Sequence, residues 1–118
     1  MLTCSEVNEA LAKRRGESRP GIMLVEILDL QQPVADYVNT VPPDYCHDEK
    51  WGAILLAELV MRKPPPYSIN IVRCATVDGR ELWEHNGEHV TRQLGNGNSL
   101  SEASARARLL VYEEERDA

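Results

Sequence analysis

Two hydrophobic periods run along this chain, and a proline run separates them. Before it, Trp51, Ile54, Leu55, Leu59 and Arg62 fall at steps of three and four, the spacing of one helix face. Asp48 stands at an N-cap position, and Leu56 and Val60 widen the apolar side. That pattern predicts a long central helix laid against something broad, such as a sheet. Pro64-Pro-Pro66 ends it by removing N–H donors and forcing extended backbone. Beyond the prolines the period drops to two, with Tyr67, Ile69 and Ile71 alternating with Ser68 and Asn70. Asp78-Gly79 and Asn86-Gly87 are hairpin signals. They set Arg80 to His85 and Glu88 to Leu94 as the second and third strands of an antiparallel meander.

The chain ends carry weaker signals. Thr3-Cys-Ser-Glu6 has capping-box spacing, Val7, Ala10 and Leu11 follow at helical steps, and Gly16 is a natural stop. Glu17 to Gly21 reads as a loop. The apolar run Ile22 to Leu28 fits a buried strand or a short helix equally well. A helix is expected from Pro33, with Val34, Tyr37, Val38 and Val41 on one side, ended by Pro42-Pro43. Gly95 to Ser99 reads as a loop, and Ser99-Leu-Ser-Glu102 repeats the capping-box spacing. Leu100, Ala103, Ala107, Leu110 and Val111 then form the stripe of a closing helix. Glu113 to Glu115 place acid at the wrong end of the helix dipole, where fraying is expected.

The expected fold class is therefore α+β: a three-stranded meander packed with a long central helix, a C-terminal helix and additional N-terminal helices. At 118 residues the chain fits one domain. Within it, 1–44 is expected to be a helical extension, 45–112 a sandwich-like core and 113–118 an acidic tail. A hydrophobic share of 42% supplies that core, although without any Phe it must rest on aliphatic residues.

Charge narrows the partners. Thirteen basic and 19 acidic residues give a formal net charge of −6. A protein that grips phosphates needs the opposite balance, so direct nucleic-acid binding is not expected and a basic protein partner is favoured. Cys4, Cys46 and Cys74 are an odd set without a CxxC pair, no secretory leader is recognisable, and no apolar stretch approaches a membrane span. These features fit reduced thiols and a cytoplasmic location. No cofactor is implied.

From Tyr45 to about Val111 the chain resembles the phage ABA sandwich domain family. The resemblance is carried by Tyr45-Cys-His-Asp48 before an Ala/Leu-rich helix, a Tyr67-Ser-Ile-Asn-Ile71 strand and a Trp83 strand. A closing helix with Glu102-Ala103 and Ala107 to Leu110 completes it. Arg106 and Arg108 depart from the more aliphatic closing helix of similar proteins, and the amino-terminal segment is longer. The family has no established reaction. What the resemblance implies is a phage accessory protein that binds host machinery in the bacterial cytoplasm.

Each candidate site has a plain structural alternative. Trp83 on an open sheet face, with His85, Glu88, His89 and Arg92 around it, would suit a protein partner, as in an inhibitor of a bacterial defence (anti-CRISPR-like) or of a host complex. Trp83 is equally well read as core, with Leu82 outside. His85 and His89 across a hairpin tip are better read as an exposed turn than as metal ligands. Asn96, Gly97, Asn98 and Ser99, opening onto a helix, could hold a nucleotide or small anion, and this is the alternative function. A strand-to-helix connection wants the same residues. Cys46-His47-Asp48 places a thiol, an imidazole and a carboxylate together, but neighbouring side chains point apart and a helix cap explains Asp48. The chain is accordingly expected not to be an enzyme. A meander with free edges also leaves room for a homodimer.

Overall fold

The computed structural model describes residues 1–22, 38–63, 65–66, 68–73, 79–87 and 91–117. Three helices and two small sheets alternate along it. The first helix, α1, spans Cys4–Arg15. Thr3 caps it, accepting from the Glu6 N–H, while Glu6 reaches back to the Thr3 N–H, so the capping box is complete. Gly16 closes the helix in the left-handed region (φ 65°), a conformation that favours glycine.

Two expectations for the amino-terminal third are overturned. Arg19 to Gly21 are not loop but join Ile22 in a strand, β1 (Arg19–Ile22), and Val38–Val41 is not helix but its antiparallel partner β2. The β-branched Val38, Thr40 and Val41 prefer extended backbone, and pairing with β1 supplies the hydrogen bonds a helix would otherwise give. The described part of 1–44 therefore holds one helix and a two-stranded sheet rather than several helices. Most of the Ile22 to Leu28 run, and Pro33 to Tyr37, lie outside the described residues.

The second helix, α2, spans Glu49–Met61, with Asp48 as its N-cap accepting from the Lys50 N–H. It is not the central element. That place belongs to α3, Leu100–Asp117, which touches α1, α2 and the main sheet. Two sides of α3 are buried in two separate clusters. Ala105 and Leu109 meet Val7 and Leu11 of α1, Leu55 of α2, and Tyr45 and Cys46 from the turn before α2. Ala103, Ala107 and Val111 meet Leu59, Leu82 and Leu94. The expected stripe contained only the second set in full, since a helix packed on two sides has no single stripe. Val60, expected to widen the buried face of α2, is 50% exposed because α2 packs chiefly against α3 and not flat on a sheet.

The main sheet has the order β3-β4-β5, with β3 Ser68–Arg73, β4 Arg80–His85 and β5 Thr91–Gly97, all antiparallel. Gly87 takes φ 83° in the turn after β4. The third strand is displaced from its expected span: β5 runs through Gly97, and a register shift between Leu82 and Trp83 lets Leu94 turn inward as an extra residue. Tyr67 and Asp78 lie outside the described residues, as do Glu88, His89 and Val90.

The acidic end is helical and does not detach as a tail. Glu114 on α3 pairs with Arg92 on β5. Arg92 also bonds Glu84, a carboxylate only 2% exposed, and Arg62 at the end of α2 pairs with the same carboxylate. A second network joins the three helices. Glu58 accepts from Arg15 of α1 and Arg108 of α3, and Arg15 also reaches Glu17 and the Tyr112 hydroxyl. Buried guanidinium groups need such partners, because an unpaired charge inside a protein is strongly destabilising.

Candidate functional site: the outer face of the sheet

Opposed residues in an antiparallel pair share a face, so the register sorts the sheet into two sides. Toward α3 point Ile69, Glu84 and Arg92 in one row and Ile71, Leu82 and Gly95 in the next. Leu82 and Leu94 are buried there. The opposite side carries Ser68, His85 and Thr91, then Asn70, Trp83 and Gln93, then Val72, Glu81 and Asn96. No described helix packs on that outer side.

Trp83 sits at the middle of the outer side on the middle strand, half-buried among its neighbours. Its indole N–H donates to Glu81 Oε2 at 3.1 Å, which fixes the ring along its own strand. His85 is beside it, with Nδ1 accepting from the Gly87 N–H at 3.3 Å. Val72 is 42% exposed on the flanking strand. The rest of the face is Ser, Thr, Asn and Gln. Such a face lacks the charge repulsion and desolvation penalty of a fully charged surface, yet offers an aromatic ring and many short hydrogen-bonding side chains.

The candidate residues are only partly brought together. Trp83 and His85 share the outer side. Arg92 does not join them: its position opposite Glu84 turns it to the helix side, where both carboxylates of its network hold it. Glu88 and His89 lie outside the described residues. Glu81, Asn70 and Gln93 were not singled out in the sequence, although a period-two reading from Trp83 marks Glu81, and Asn70 and Gln93 follow once the register is known.

The other candidates resolve into ordinary structure. Asn96 and Gly97 belong to β5, and Asn98 and Ser99 connect it to α3. The Asn98 N–H is already given to Glu102 Oε2 at 3.3 Å, and the Glu102 N–H to Ser99 Oγ at 3.2 Å. Cys46, His47 and Asp48 diverge as expected. Cys46 is fully buried, Asp48 caps α2, and His47 is exposed with Nδ1 2.9 Å from Asp44 Oδ1. Among the described residues no group of His, Cys, Asp and Glu is arranged to hold a metal ion, and no helix is long and apolar enough to cross a membrane.

Fold and face together define a small α+β protein whose three-stranded meander is covered by helices on one side. Comparison with protein-family models gives no match, and comparisons with curated proteins and with solved structures give none either.

Proposed function

We propose that this chain is a phage-type accessory protein that acts without chemistry, by binding a host bacterial protein through the outer face of its sheet. An inhibitor of a defence complex or other host assembly is the form this takes. The observation that carries it is the one-sided sheet: Trp83 lies at the centre of a face that is aromatic and hydrogen-bonding but poor in charge, in a chain with 27% charged residues. Interface centres are depleted in charge and often anchored by Trp, with charge moved to the rim. The acidic balance of the whole molecule favours a basic partner and speeds its approach. The resemblance to phage ABA sandwich proteins supplies the biological setting.

The alternative, capture of a nucleotide or small anion at Asn96 to Ser99, has less support. Glu102 places its carboxylate on the Asn98 N–H, the donor an anion would need, and beside Gly97, where a side chain would collide with it.

The test is a pull-down from bacterial lysate with the tagged chain, followed by titration of the captured protein against wild type and Trp83→Ala. Loss of a central aromatic anchor should weaken binding by about 2 kcal/mol or more, roughly 30-fold. Equal affinity of the two chains would remove the outer face from consideration. A nucleotide in the eluate, without any protein, would replace this reading by the sequestering one.

A further inference from the structure

Two cysteines 42 positions apart meet at the start of α1. Cys4 is the first residue of that helix and half-buried, while Cys46, from the turn before α2, is fully buried. The Cys46 thiol donates to the Cys4 carbonyl oxygen at 3.8 Å, which sets the Cys46 sulfur against the backbone of the residue it would join. Asn8 aligns the two segments: its amide donates to Asp44 Oδ1 at 3.0 Å and its oxygen accepts from the Cys46 N–H at 3.2 Å. From α3, Glu102 Oε1 accepts from the Cys4 thiol at 3.1 Å, and an Arg106 guanidinium nitrogen lies 4.0 Å from the same sulfur. A cleft of about 330 Å³ opens onto Cys4, lined also by Ser5, Asn8, Arg19, Asp44 and His47.

We propose that Cys4 and Cys46 are a redox pair that closes to an intramolecular disulfide on meeting a small anionic disulfide of the glutathione class. The cleft admits the oxidant to Cys4, and Arg19 in its lining supplies a cation for a carboxylate-bearing ligand, with the Asp44 carboxylate opposing it. Glu102 takes the Cys4 proton through the hydrogen bond it already accepts, and the sulfur attacks one sulfur of the oxidant. That S–S bond breaks and the first glutathione leaves with the proton returned from Glu102. Cys46 then attacks Cys4 at its sulfur, and the second glutathione leaves with the Cys46 proton. Two protein thiols are oxidised to one disulfide, and one small disulfide is reduced to two thiols.

The surroundings make this a slow device. Burial raises the Cys4 thiol above its ordinary value, the hydrogen bond to Glu102 adds to this, and Arg106 only partly opposes it. Burial pushes Cys46 up further. Both thiols are therefore protonated at neutral pH, and the pair responds to the poise of its surroundings rather than turning over. Closure would tie α1 covalently to the turn that carries Tyr45 into the core.

The test uses the full-length chain with Cys74→Ser, because Cys74 lies outside the described residues. After incubation with oxidised glutathione and alkylation, the expected product has lost two hydrogens, resists alkylation and yields a linked pair of Cys4 and Cys46 peptides. Its unfolding midpoint should rise by about 10 °C and fall back on reduction, given the length of chain enclosed. Cys4→Ser in the same background should show neither change. A stable glutathione adduct on Cys4 would overturn the proposal, as would two thiols still free after equilibration, or a bridge that lowers the midpoint.

Discussion

Gly95 lies on β5 where α3 crosses the sheet, and a Cβ there would stand 2.6 Å from the Ala103 carbonyl oxygen and 2.7 Å from the Ala107 nitrogen. Both are backbone atoms, so no side-chain rotation relieves the overlap. Gly95→Ala should therefore destabilise the chain by about 2 kcal/mol, read as a lowered urea midpoint with an unchanged slope. Gly16→Ala, by contrast, meets no atom within 4 Å and should lose only about 1 kcal/mol, through its positive φ. A similar contact explains Gly52 on α2, whose missing side chain lets Ser101 of α3 approach. In the sequence Gly95 and Gly97 look like loop residues. Composition alone cannot tell a glycine kept for a turn from one kept for close packing, because the helix that crowds it lies elsewhere in the chain.

Among the elements, α3 shows best where the periodic pattern succeeds and where it stops. Ala103, Ala107 and Val111 were legible as a buried stripe; Ala105 and Leu109 were not, because their cluster forms only when α1 packs against α3. The strands were legible as three, yet β5 is displaced because its bulge and its extension to Gly97 follow from packing against α3. Glu84 shows the same dependence. In the sequence it is one charged residue of a strand next to a hairpin signal, yet it is buried between Arg62 and Arg92, tying α2, β4 and β5 together. Glu84→Ala should cost about 3 kcal/mol, since it leaves two guanidinium groups facing each other without their shared carboxylate. Restoring near wild-type stability by removing Arg62 as well, in a double-mutant cycle, would show that the energy lies in the pairing.

At the scale of the molecule, ion pairs between elements make stability depend on pH. Burial opposes ionisation of Glu58, but hydrogen bonds from Arg15 and Arg108 outweigh it and hold the carboxyl below its usual range. The hydrogen bond from Arg92 lowers Glu114 likewise. A carboxyl depressed in the folded state binds its proton more readily when unfolded. Its contribution is complete above the ordinary carboxylate range and is lost as pH falls through the folded value. Denaturant midpoints should be level near neutrality and decline below about pH 5. Glu58→Gln should flatten that decline while lowering the neutral midpoint; an unchanged acid slope would show that the Arg15 and Arg108 contacts do not set it.

The sequence by itself determined the α+β class, the capped start of α1, the span of α2, the existence of a three-stranded meander and the closing helix. These rest on local periodicity, caps and turn chemistry, which act over a few residues. The β4–β5 connection, expected as a two-residue turn, is longer, because His85 pairs with Thr91. Only the tertiary structure decided that Val38–Val41 pairs as a strand, that α3 rather than α2 is the hub, and that Trp83 faces outward while Arg92 faces the helix. It alone also brought Cys4 to Cys46. Each of these depends on partners distant in the chain, and a one-residue change of register reverses which side chains a sheet shows to its helices.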